Sequence, residues 1–305
     1  MLKNLNLKFA AFIITFERPE ILLETIDRIL NQSCPPQKIL IIDNSFSKTT
    51  EILLKKVIDP RIEYYSTGYN AGPAGGAKIG LERLAAQGYE WIYWGDDNDP
   101  PAFENCFERL LYLAYTNAEK CGQVGAVGQL LDKNKGILKR FETEYLRQKN
   151  TVEVDNIGGG MCKIVNSEII KQGILPDEKK FFGFEELDFD LRCKNAGYSL
   201  LVDCSLFLKY REKSNRLNFK RKLGRKVKEE NLWREYYSTR NLLSIFWEQN
   251  MHKAFLLLIL RKSYKSFAGF TYGLSYGVKN FNILFKGLHH GLIGKKGFIN
   301  KQDLF

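Results

Sequence analysis

The sequence predicts an α/β fold in which a mostly parallel sheet is flanked by helices, with a helical region at the C-terminus. Short apolar segments alternate with segments of helical periodicity over residues 8–100, which is the pattern of a parallel sheet covered on both faces. Polar residues follow four of these apolar segments, as expected where α/β strands end at a ligand site. Residues 229–305 have helical periodicity with mixed apolar and basic residues.

Four strands are predicted before residue 100. The elements in chain order are a strand in FAAFIITF (9–16), a helix in PEILLETIDRILNQ from Pro19, a strand in KILIIDNS (38–45), a helix around 48–57, a strand in IEYYST, a glycine-rich loop entering a helix in GYNAGPAGGAKIGLERLAAQG, and a strand in WIYWGDD. Thr15, Asp43, Asn70 and Asp96 fall where these strands end. We therefore expect these four residues at one edge of the sheet.

The pattern changes beyond residue 120. The predicted elements are a strand in GQVGAVGQLL, a strand or turn and then a helix from about Ser167 in VDNIGGGMCKIVNSEII, an acid-bearing helix in FFGFEELDFDLRCKNAGY, and a late strand in SLLVDCSLFLKY. REKSNRLNFKRKLGRKVK (211–228) is strongly basic and lacks apolar periodicity. It therefore predicts a mobile loop or linker.

The composition favours a cytosolic protein with anionic partners. The net charge of +11 suits nucleic acid, nucleotide phosphates or an acidic membrane surface. The six cysteines are scattered, without a CxxC pair or a nearby histidine, so we expect reduced thiols and no zinc site. MLKNLNLKFAAFIITF has too short an apolar run for a secretory signal, and no apolar stretch is long enough to predict a membrane span.

Three carboxylates close the fourth strand within four positions, in WGDDNDPP. Asp96, Asp97 and Asp99 repel one another, so a positive partner is expected, and their oxygens suit Mg²⁺ or Mn²⁺. Asp96 with Asn98, or Asp97 with Asp99, could hold such a cation while a nucleotide diphosphate completes its ligand shell. The alternative is a solvated acidic loop ahead of two prolines.

The glycine-rich loop predicts close approach of the backbone to a ligand. Gly72, Gly75 and Gly76 precede a helix whose first N–H groups suit a phosphate. Neither a Walker loop nor GxGxxG is present, which argues against a dinucleotide. The alternative is a plain helix-entry turn.

The acid-bearing helix carries a further candidate site. Glu185 and Asp188 are three positions apart and share one helix face, while Glu186 projects elsewhere. A carboxylate here could take a proton from an attacking hydroxyl. The alternative is the ordinary preference of helix N-termini for acids.

Taken together, these motifs resemble those of family 2 glycosyltransferases, and most closely the bacterial rhamnosyl- and galactofuranosyl-transferase branch. The resemblance covers about residues 8–245 and is carried, in the family's order, by IITFERPEILLETIDRILNQSCPPQKILIIDNS, GYNAGPAGGAKIGLERL, WIYWGDDNDPP, GGGMCKIVNSEII, FFGFEELDFDLRCKNAGY and YYSTRN. It implies a GT-A (Rossmann-like) fold, a nucleotide-sugar donor, a divalent cation (Mn²⁺ or Mg²⁺) and inversion at the anomeric carbon.

The resemblance also implies roles for individual residues. The residues implied for the nucleotide are Thr15, Glu17, Arg18, Asp43 (to the base), Asn70, Gly75, Gly76 and Asp96. Those implied for the metal are Asp96, Asp97, Asn98 and Asp99. For catalysis, Glu186 is implied as the general base, with Glu185 and Asp188 orienting it or the acceptor.

The chain departs from the family pattern at three places. Asn98 is a neutral and weaker ligand than the usual acid, and Glu186 replaces the usual Asp at the base position. No histidine precedes His252, although many relatives place a metal-binding His after the late strand. We expect either that Tyr210 or a neighbouring Lys209 or Arg211 contacts the diphosphate instead, or that the metal has fewer protein ligands.

The function implied is that of an inverting hexosyltransferase in bacterial surface polysaccharide or lipopolysaccharide synthesis. The donor would be UDP-galactofuranose, another UDP-hexose or dTDP-rhamnose, and the acceptor a saccharide or lipid-linked saccharide. We expect a GT-A catalytic domain over 1–210, with a nucleotide-binding half about 1–100 and an acceptor half about 101–210. The basic loop 211–228 and the helical region 229–305 follow.

The basic tail predicts peripheral contact with the inner face of the cytoplasmic membrane through an amphipathic helix. The alternative is a helical domain packed on the core. A nucleotidyltransferase would need a glycine- and arginine-rich N-terminal signature, which is missing, and no nucleic-acid-binding motif appears. Asn98 and the missing histidine favour the remaining rival, a degenerate transferase that binds a nucleotide sugar or saccharide without catalysis. The sequence does not predict an oligomeric state.

Overall fold

The computed structural model describes residues 7–117, 119–158, 160–217 and 226–304. The chain divides into two units. The first is made of Met1–Leu130, Arg140–Asp177 and Glu186–Asn218, and the second of Leu131–Lys139, Glu178–Glu185 and Phe219–Phe305.

One large sheet is the framework of the first unit. The strands of the described residues are β1 (Phe9–Thr15), β2 (Ile39–Asp43), β3 (Ile62–Ser66), β4 (Trp91–Asp96), β5 (Cys121–Gly125), β6 (Leu130–Asp132), β7 (Ile137–Lys139), β8 (Thr151–Glu153), β9 (Lys163–Asn166) and β10 (Ser199–Asp203). Eight of them form the sheet in the order β3-β2-β1-β4-β9-β5-β10-β8, and β6 pairs with β7 separately. Only β9 and β8 run antiparallel to their neighbours in this sheet, so the predicted mostly parallel sheet is confirmed.

Helices connect the strands and form the C-terminal region. They are α1 (Pro19–Leu30), α2 (Thr49–Leu54), α3 (Gly72–Ala86), α4 (Cys106–Thr116), α5 (Thr143–Arg147), α6 (Ser167–Lys171), α7 (Glu185–Asn195), α8 (Cys204–Lys213), α9 (Leu232–Glu248), α10 (His252–Ala268) and α11 (Leu274–Leu292). Short 3₁₀ turns cover Glu178–Lys180, Glu229–Asn231, Gly269–Tyr272 and Lys301–Leu304.

Strand β1 shows why the sheet needs cover on both faces. Its seven residues are all buried, and because successive side chains of a strand point to opposite faces, they divide between two cores. Ile13 packs in one core with Leu22 of α1, and Phe12 packs in the other with Leu81 of α3. Burying a side chain of this size contributes about 1.5–3 kcal/mol. The continuous apolar run is thus the signature of a central strand.

Helix α3 approaches β1 closely because it carries glycines on the facing side. A Cβ on Gly76 would lie 3.0 Å from the side chain of Ile14, and one on Gly80 would collide with the ring of Phe12. In this structure the missing side chain at Gly76 therefore serves helix-on-strand packing.

The prediction of a late strand through SLLVDCSLFLKY was wrong beyond its first half. Strand β10 ends at Asp203 and helix α8 begins at Cys204. The Asp203 carboxylate caps this helix by accepting a hydrogen bond from the backbone N–H of Leu206 at 2.8 Å. Since α8 runs to Lys213, the start of the predicted basic loop is helical, while residues 218–225 of that loop lie outside the described residues.

The second unit is built on α9, α10 and α11. Its buried cluster joins Tyr236 and Tyr237 of α9 to Ile283 of α11 and to Phe181. Within the described ranges, no helix is both long and apolar enough to cross a bilayer.

Candidate active site

Asp97 is bound by the loop that follows β1. Its carboxylate accepts a hydrogen bond from Thr15 Oγ1 at 2.8 Å and lies 2.6 Å from Nη2 of Arg18. Its backbone oxygen accepts a hydrogen bond from Thr25 Oγ1 at 2.5 Å. Burial raises the pKa of Asp97, while Thr15 and Arg18 oppose that shift. This carboxylate therefore joins the end of β4 to the start of the chain.

Asp96 is surrounded by other acids. Burial, and after it the negative charge of Glu186, raise the pKa of Asp96 to about 7. Asp97 and Asp99 add to the shift, and Arg18 opposes it. The structure thus brings Glu186 of α7 to the acidic run at the end of β4, a proximity that the sequence could not establish by itself.

Asn98 and Asp99 are the exposed members of the acidic run. The Asp99 carboxylate lies directly against Gly160, where any Cβ would collide with it. Gly160 also has a φ of +68°, a conformation that favours glycine. Its carboxyl is partly buried where it lies against Gly160, and this partial burial raises the pKa of Asp99.

The three predicted acidic metal ligands, Asp96, Asp97 and Asp99, do not form one metal-binding group. In the part of the chain that the structure describes, no three His, Cys, Asp or Glu side chains form a group that could hold a metal ion. Asp97 is engaged by Arg18 and Thr15. Asp96 and Asp99 remain as hard oxygen donors whose mutual repulsion a cation would relieve. This pair fits a cation that takes its other ligands from phosphate groups.

Asp43, predicted to contact the base, is buried at the end of β2. Its Oδ1 accepts a hydrogen bond from the backbone N–H of Ser45, and its Oδ2 accepts one from the hydroxyl of Tyr64, each at 2.9 Å. Burial, and then the hydrogen bond to Asp43, raise the pKa of Tyr64 to about 12. Tyr64 therefore stays protonated and fixes the carboxylate.

Glu17 joins two loops at the same edge of the sheet. Its carboxylate accepts hydrogen bonds from the backbone N–H of Phe46 at 2.8 Å and from the hydroxyl of Ser47 at 2.6 Å. The Ser47 hydroxyl, as the largest cause, lowers the pKa of Glu17. Glu17 therefore anchors the loop after β2 to the loop after β1.

Two asparagine side chains form hydrogen bonds to the backbone of the predicted glycine loop. Asn70 Oδ1 accepts a hydrogen bond from the backbone N–H of Gly72 at 3.0 Å, and Asn44 Nδ2 donates to the Gly72 carbonyl at 3.1 Å. Gly75 and Gly76 are buried in the first turns of α3. The N-terminus of α3 therefore lies at the carboxyl edge of the sheet, as the sequence predicts.

The three predicted catalytic acids differ in accessibility. Glu185 and Asp188 are buried, and Asp188 pairs with Arg192 at 2.7 Å one helical turn away. Glu186 is the partly exposed one of the three. Only Glu186 therefore combines access to solvent with proximity to Asp96.

Tyr210 follows the late strand, where a histidine is usual. Its hydroxyl accepts a hydrogen bond from the backbone N–H of Ala102 at 3.0 Å and lies 3.6 Å from Cys106 Sγ. The Nζ of Lys209 lies 5.8 Å from the ring centre of Phe103.

A buried ion pair, missed by the sequence analysis, holds helix α7 on the sheet. Lys163 Nζ of β9 lies 2.6 Å from Asp190 Oδ1, and both side chains are buried. Asp190 also accepts hydrogen bonds from the backbone N–H of Ile157 and from Asn156. Burial raises the pKa of Asp190, and Lys163 opposes the shift. The sequence feature that could have revealed this ion pair is the lysine within the apolar segment CKIV.

The end of the YYSTRN motif binds the segment before α7. Asn241 Nδ2 donates to the carbonyls of Lys180, Phe182 and Gly183 at 2.8–3.0 Å. Arg240 donates to the Lys180 carbonyl at 2.9 Å. Phe181, Gly183 and Phe184 all have positive φ values, so this segment is tightly turned. The sequence identified the motif but assigned it no task.

Sequence comparison connects the chain to galactofuranosyltransferases. A model of the family described as Glycosyl transferase family 2 matches residues 10–172, more than half of the chain. Galactofuranosyltransferase GlfT1 of Mycolicibacterium smegmatis is 24% identical over 200 residues, which are 61% of this chain and 65% of that protein. The match to the Mycobacterium tuberculosis protein is 23% over 201 residues. The chain thus spans just under two thirds of these curated relatives.

Solved glycosyltransferases share the fold. The mannosyltransferase PcManGT from Pyrobaculum calidifontis, in complex with GDP-Man and Mn²⁺, has a TM-score of 0.54 at 9% identity, covering 94% of this chain and 88% of that one. S. aureus TarS, in complex with UDP-GlcNAc, has a TM-score of 0.52 at 13% identity, covering 93% and 81%. These likenesses confirm the predicted GT-A fold. The chain belongs to glycosyl transferase family 2.

Proposed function

We propose that the protein is an inverting glycosyltransferase that moves a sugar from a nucleoside-diphosphate sugar to a saccharide or lipid-linked saccharide acceptor. The observation that carries the proposal is the proximity of Glu186 to Asp96, whose pKa is raised to about 7 first by burial and then by the charge of Glu186. Such a reaction needs an accessible carboxylate that can act as general base, next to an acidic run that can hold a cation against the leaving group. Glu186 and Asp96 have this arrangement.

In the proposed reaction, Glu186 accepts the proton of an acceptor hydroxyl. The hydroxyl oxygen then forms a bond to the anomeric carbon as the bond from that carbon to the diphosphate oxygen breaks. The nucleoside diphosphate leaves with that electron pair. Base catalysis of this kind contributes roughly 10²–10⁴-fold, and the remaining rate comes from orientation and charge stabilisation.

A divalent cation, Mn²⁺ or Mg²⁺, would neutralise the charge of the leaving diphosphate. Asp96 and Asp99 are the side chains that would hold it, because Asp97 is already engaged by Arg18. Thr15 and Arg18 would then act on the nucleotide site through Asp97. Asp43, Asn70, Gly75 and Gly76 would border the nucleoside, and Glu17 would hold the two loops around it.

UDP-galactofuranose is the donor that we propose first, because the curated relatives are named galactofuranosyltransferases. Another UDP-hexose and dTDP-rhamnose are the alternatives. The product would be a bacterial surface polysaccharide, made on the cytoplasmic side of the membrane. We also retain as a proposal a catalytic domain over 1–210, a basic linker over 211–228 and a helical region over 229–305.

A panel of UDP- and dTDP-sugars, each with Mn²⁺, Mg²⁺ or EDTA, tests the proposal. We expect one donor to raise the melting temperature and to release nucleoside diphosphate only when a cation is present. Binding without release, with any acceptor saccharide supplied, would favour the alternative of a non-catalytic binding module.

We further propose that the second unit contacts the surface of an anionic membrane. Leu256, Leu260, Tyr264 and Phe267 are exposed at spacings of four, four and three, so they form one stripe along α10. The ring of Phe267 contacts Phe281 of α11, with ring centres 5.3 Å apart. An exposed apolar stripe on a protein of net charge +11 suits the boundary between headgroups and acyl chains.

A further inference from the structure

A pocket of the first unit lies beside the acidic run, and three arginines are among the residues that line it. Its volume is about 250 Å³, and Asp99 and Gly160 form one wall. Arg140, Arg211 and Arg216 line the rest together with apolar and neutral residues. Among the described residues that line it, three guanidinium groups therefore face a single carboxylate.

Arg211 is the fixed member of this cluster, which we call the arginine pocket (Arg140, Arg211 and Arg216). Its side chain is buried, and it donates hydrogen bonds to Thr143 Oγ1 at 2.9 Å and to the Phe141 carbonyl at 2.6 Å. Its guanidinium lies 4.6 Å from the ring centre of Phe207. Both hydrogen-bond acceptors are neutral, so they orient the guanidinium, and the negative charge that acts on it comes from Glu142.

The positive charges of the arginine pocket act on one another. Burial, and after it the charge of Arg140, lower the pKa of Arg211, while the charge of Glu142 opposes the shift. Arg216 follows in the turn after α8, where its backbone N–H donates to the Arg211 carbonyl at 2.7 Å. An anion would relieve this repulsion, and the planar fork of arginine matches a phosphate group.

The topology separates this pocket from the nucleotide side of the sheet. The predicted nucleotide residues other than Asp96 follow β1, β2 and β3 or begin α3, on one side of β4. Tyr210 and Arg211, which the resemblance leads us to expect at the diphosphate, lie instead in the pocket. The pocket is built from the segments after β5 and β7, before β9 and in α8, on the other side of β4. Both sets lie at the carboxyl edge of the parallel strands, and Asp99 stands between them.

We propose that the arginine pocket binds a phosphate group of the acceptor. This assignment rests on the proposed transferase function, and it names the acceptor as a phosphate-bearing saccharide or lipid. The volume exceeds what one phosphate needs, which leaves room for the attached sugar. The other source of the same chemistry is the diphosphate of the donor, and competition distinguishes the two.

The test titrates glucose 1-phosphate into the full-length protein by calorimetry, with and without saturating UDP and Mg²⁺, and uses glucose as the uncharged control. We expect glucose 1-phosphate to bind equally in both conditions and glucose not to bind. Arg140→Gln and Arg216→Gln should each weaken the binding of glucose 1-phosphate about tenfold, the effect of one charge-assisted hydrogen bond. UDP affinity should not change.

Arg147→Gln on α5 is the matched control, because it removes the same charge from an exposed arginine outside the pocket. The proposal is overturned if glucose 1-phosphate does not bind, or if the pocket variants behave like Arg147→Gln. It is also overturned if UDP excludes glucose 1-phosphate and the variants lose UDP affinity, since the pocket would then hold the donor. Failure of the wild type to bind UDP in its own titration would instead overturn the transferase proposal.

Discussion

Nη2 of Arg18 lies 2.6 Å from Oδ1 of Asp97, and this ion pair gives Asp97 a different environment from its neighbour Asp96. The Asp97 side chain is fully buried and bound by Arg18 and Thr15, whereas Asp96 is partly buried among acids. One carboxylate is thus already neutralised by the protein, and the other has the environment of a cation ligand.

The first prediction contrasts these neighbours. Asp97→Asn should lower the free energy of unfolding by about 1–3 kcal/mol, because it leaves buried partners imperfectly satisfied. Asp96→Asn should leave stability unchanged or higher, since it removes a carboxyl crowded by Glu186, but it should abolish cation-dependent UDP binding. Urea denaturation and calorimetry measure the two effects. A stable Asp97→Asn variant that loses UDP binding would contradict the division of tasks.

The second prediction concerns the base. Glu186→Gln should reduce release of nucleoside diphosphate from the active donor by roughly 10²–10⁴-fold, because the amide cannot accept the acceptor proton. UDP affinity should stay near that of the wild type. Glu144→Gln removes a similar charge from the exposed surface of α5 and should have no effect. Full turnover by Glu186→Gln would reject the assignment.

The third prediction concerns Asn241 as a positioning residue. Asn241→Ala should lower kcat with little change in donor KM, because the segment that leads into α7 loses three hydrogen bonds. Asn280→Ala is the matched control, since Asn280 is also buried and donates to the carbonyls of Lys265 and Ser266. Both variants should unfold at lower urea concentration. Equal kcat values for the two variants would reduce Asn241 to a purely structural role.

The fourth prediction concerns the apolar stripe of α10. The double variant Leu260→Ser, Phe267→Ser should float less well with anionic liposomes than the wild type, since it removes exposed apolar area without changing charge. Ile58→Ser is the control, because Ile58 is 99% exposed in the first unit. Equal flotation of the stripe variant, the control and the wild type would argue against membrane contact through this face.

The sequence predicted the first half of the sheet well, because β1, β2 and β4 are apolar on both faces and helical periodicity follows the strands. It failed at Asp203, where an apolar run continues across a strand end and only a capping carboxylate marks the change to helix. The hydrophobic pattern of the sequence does not reveal such a helix cap when a second apolar run follows it.

The candidate site was predicted unevenly for a similar reason. Residue type and order pointed to Asp96 and Glu186, but only the fold shows that their charges interact. The partners of Asp97 lie 79 and 82 positions away in sequence, at Arg18 and Thr15, so local spacing could not reveal that it is engaged. Long-range pairing is the information that a one-dimensional pattern lacks.

The ion pair of Lys163 with Asp190 constrains how this protein can be altered. Loss of either partner leaves an uncompensated charge in an apolar core, at a cost of about 3–5 kcal/mol, whereas replacing both by apolar residues of similar volume can be tolerated. An engineer who transplants helix α7 from a relative must therefore transplant the matching residue of β9 as well. In an alignment of relatives, the two columns should co-vary.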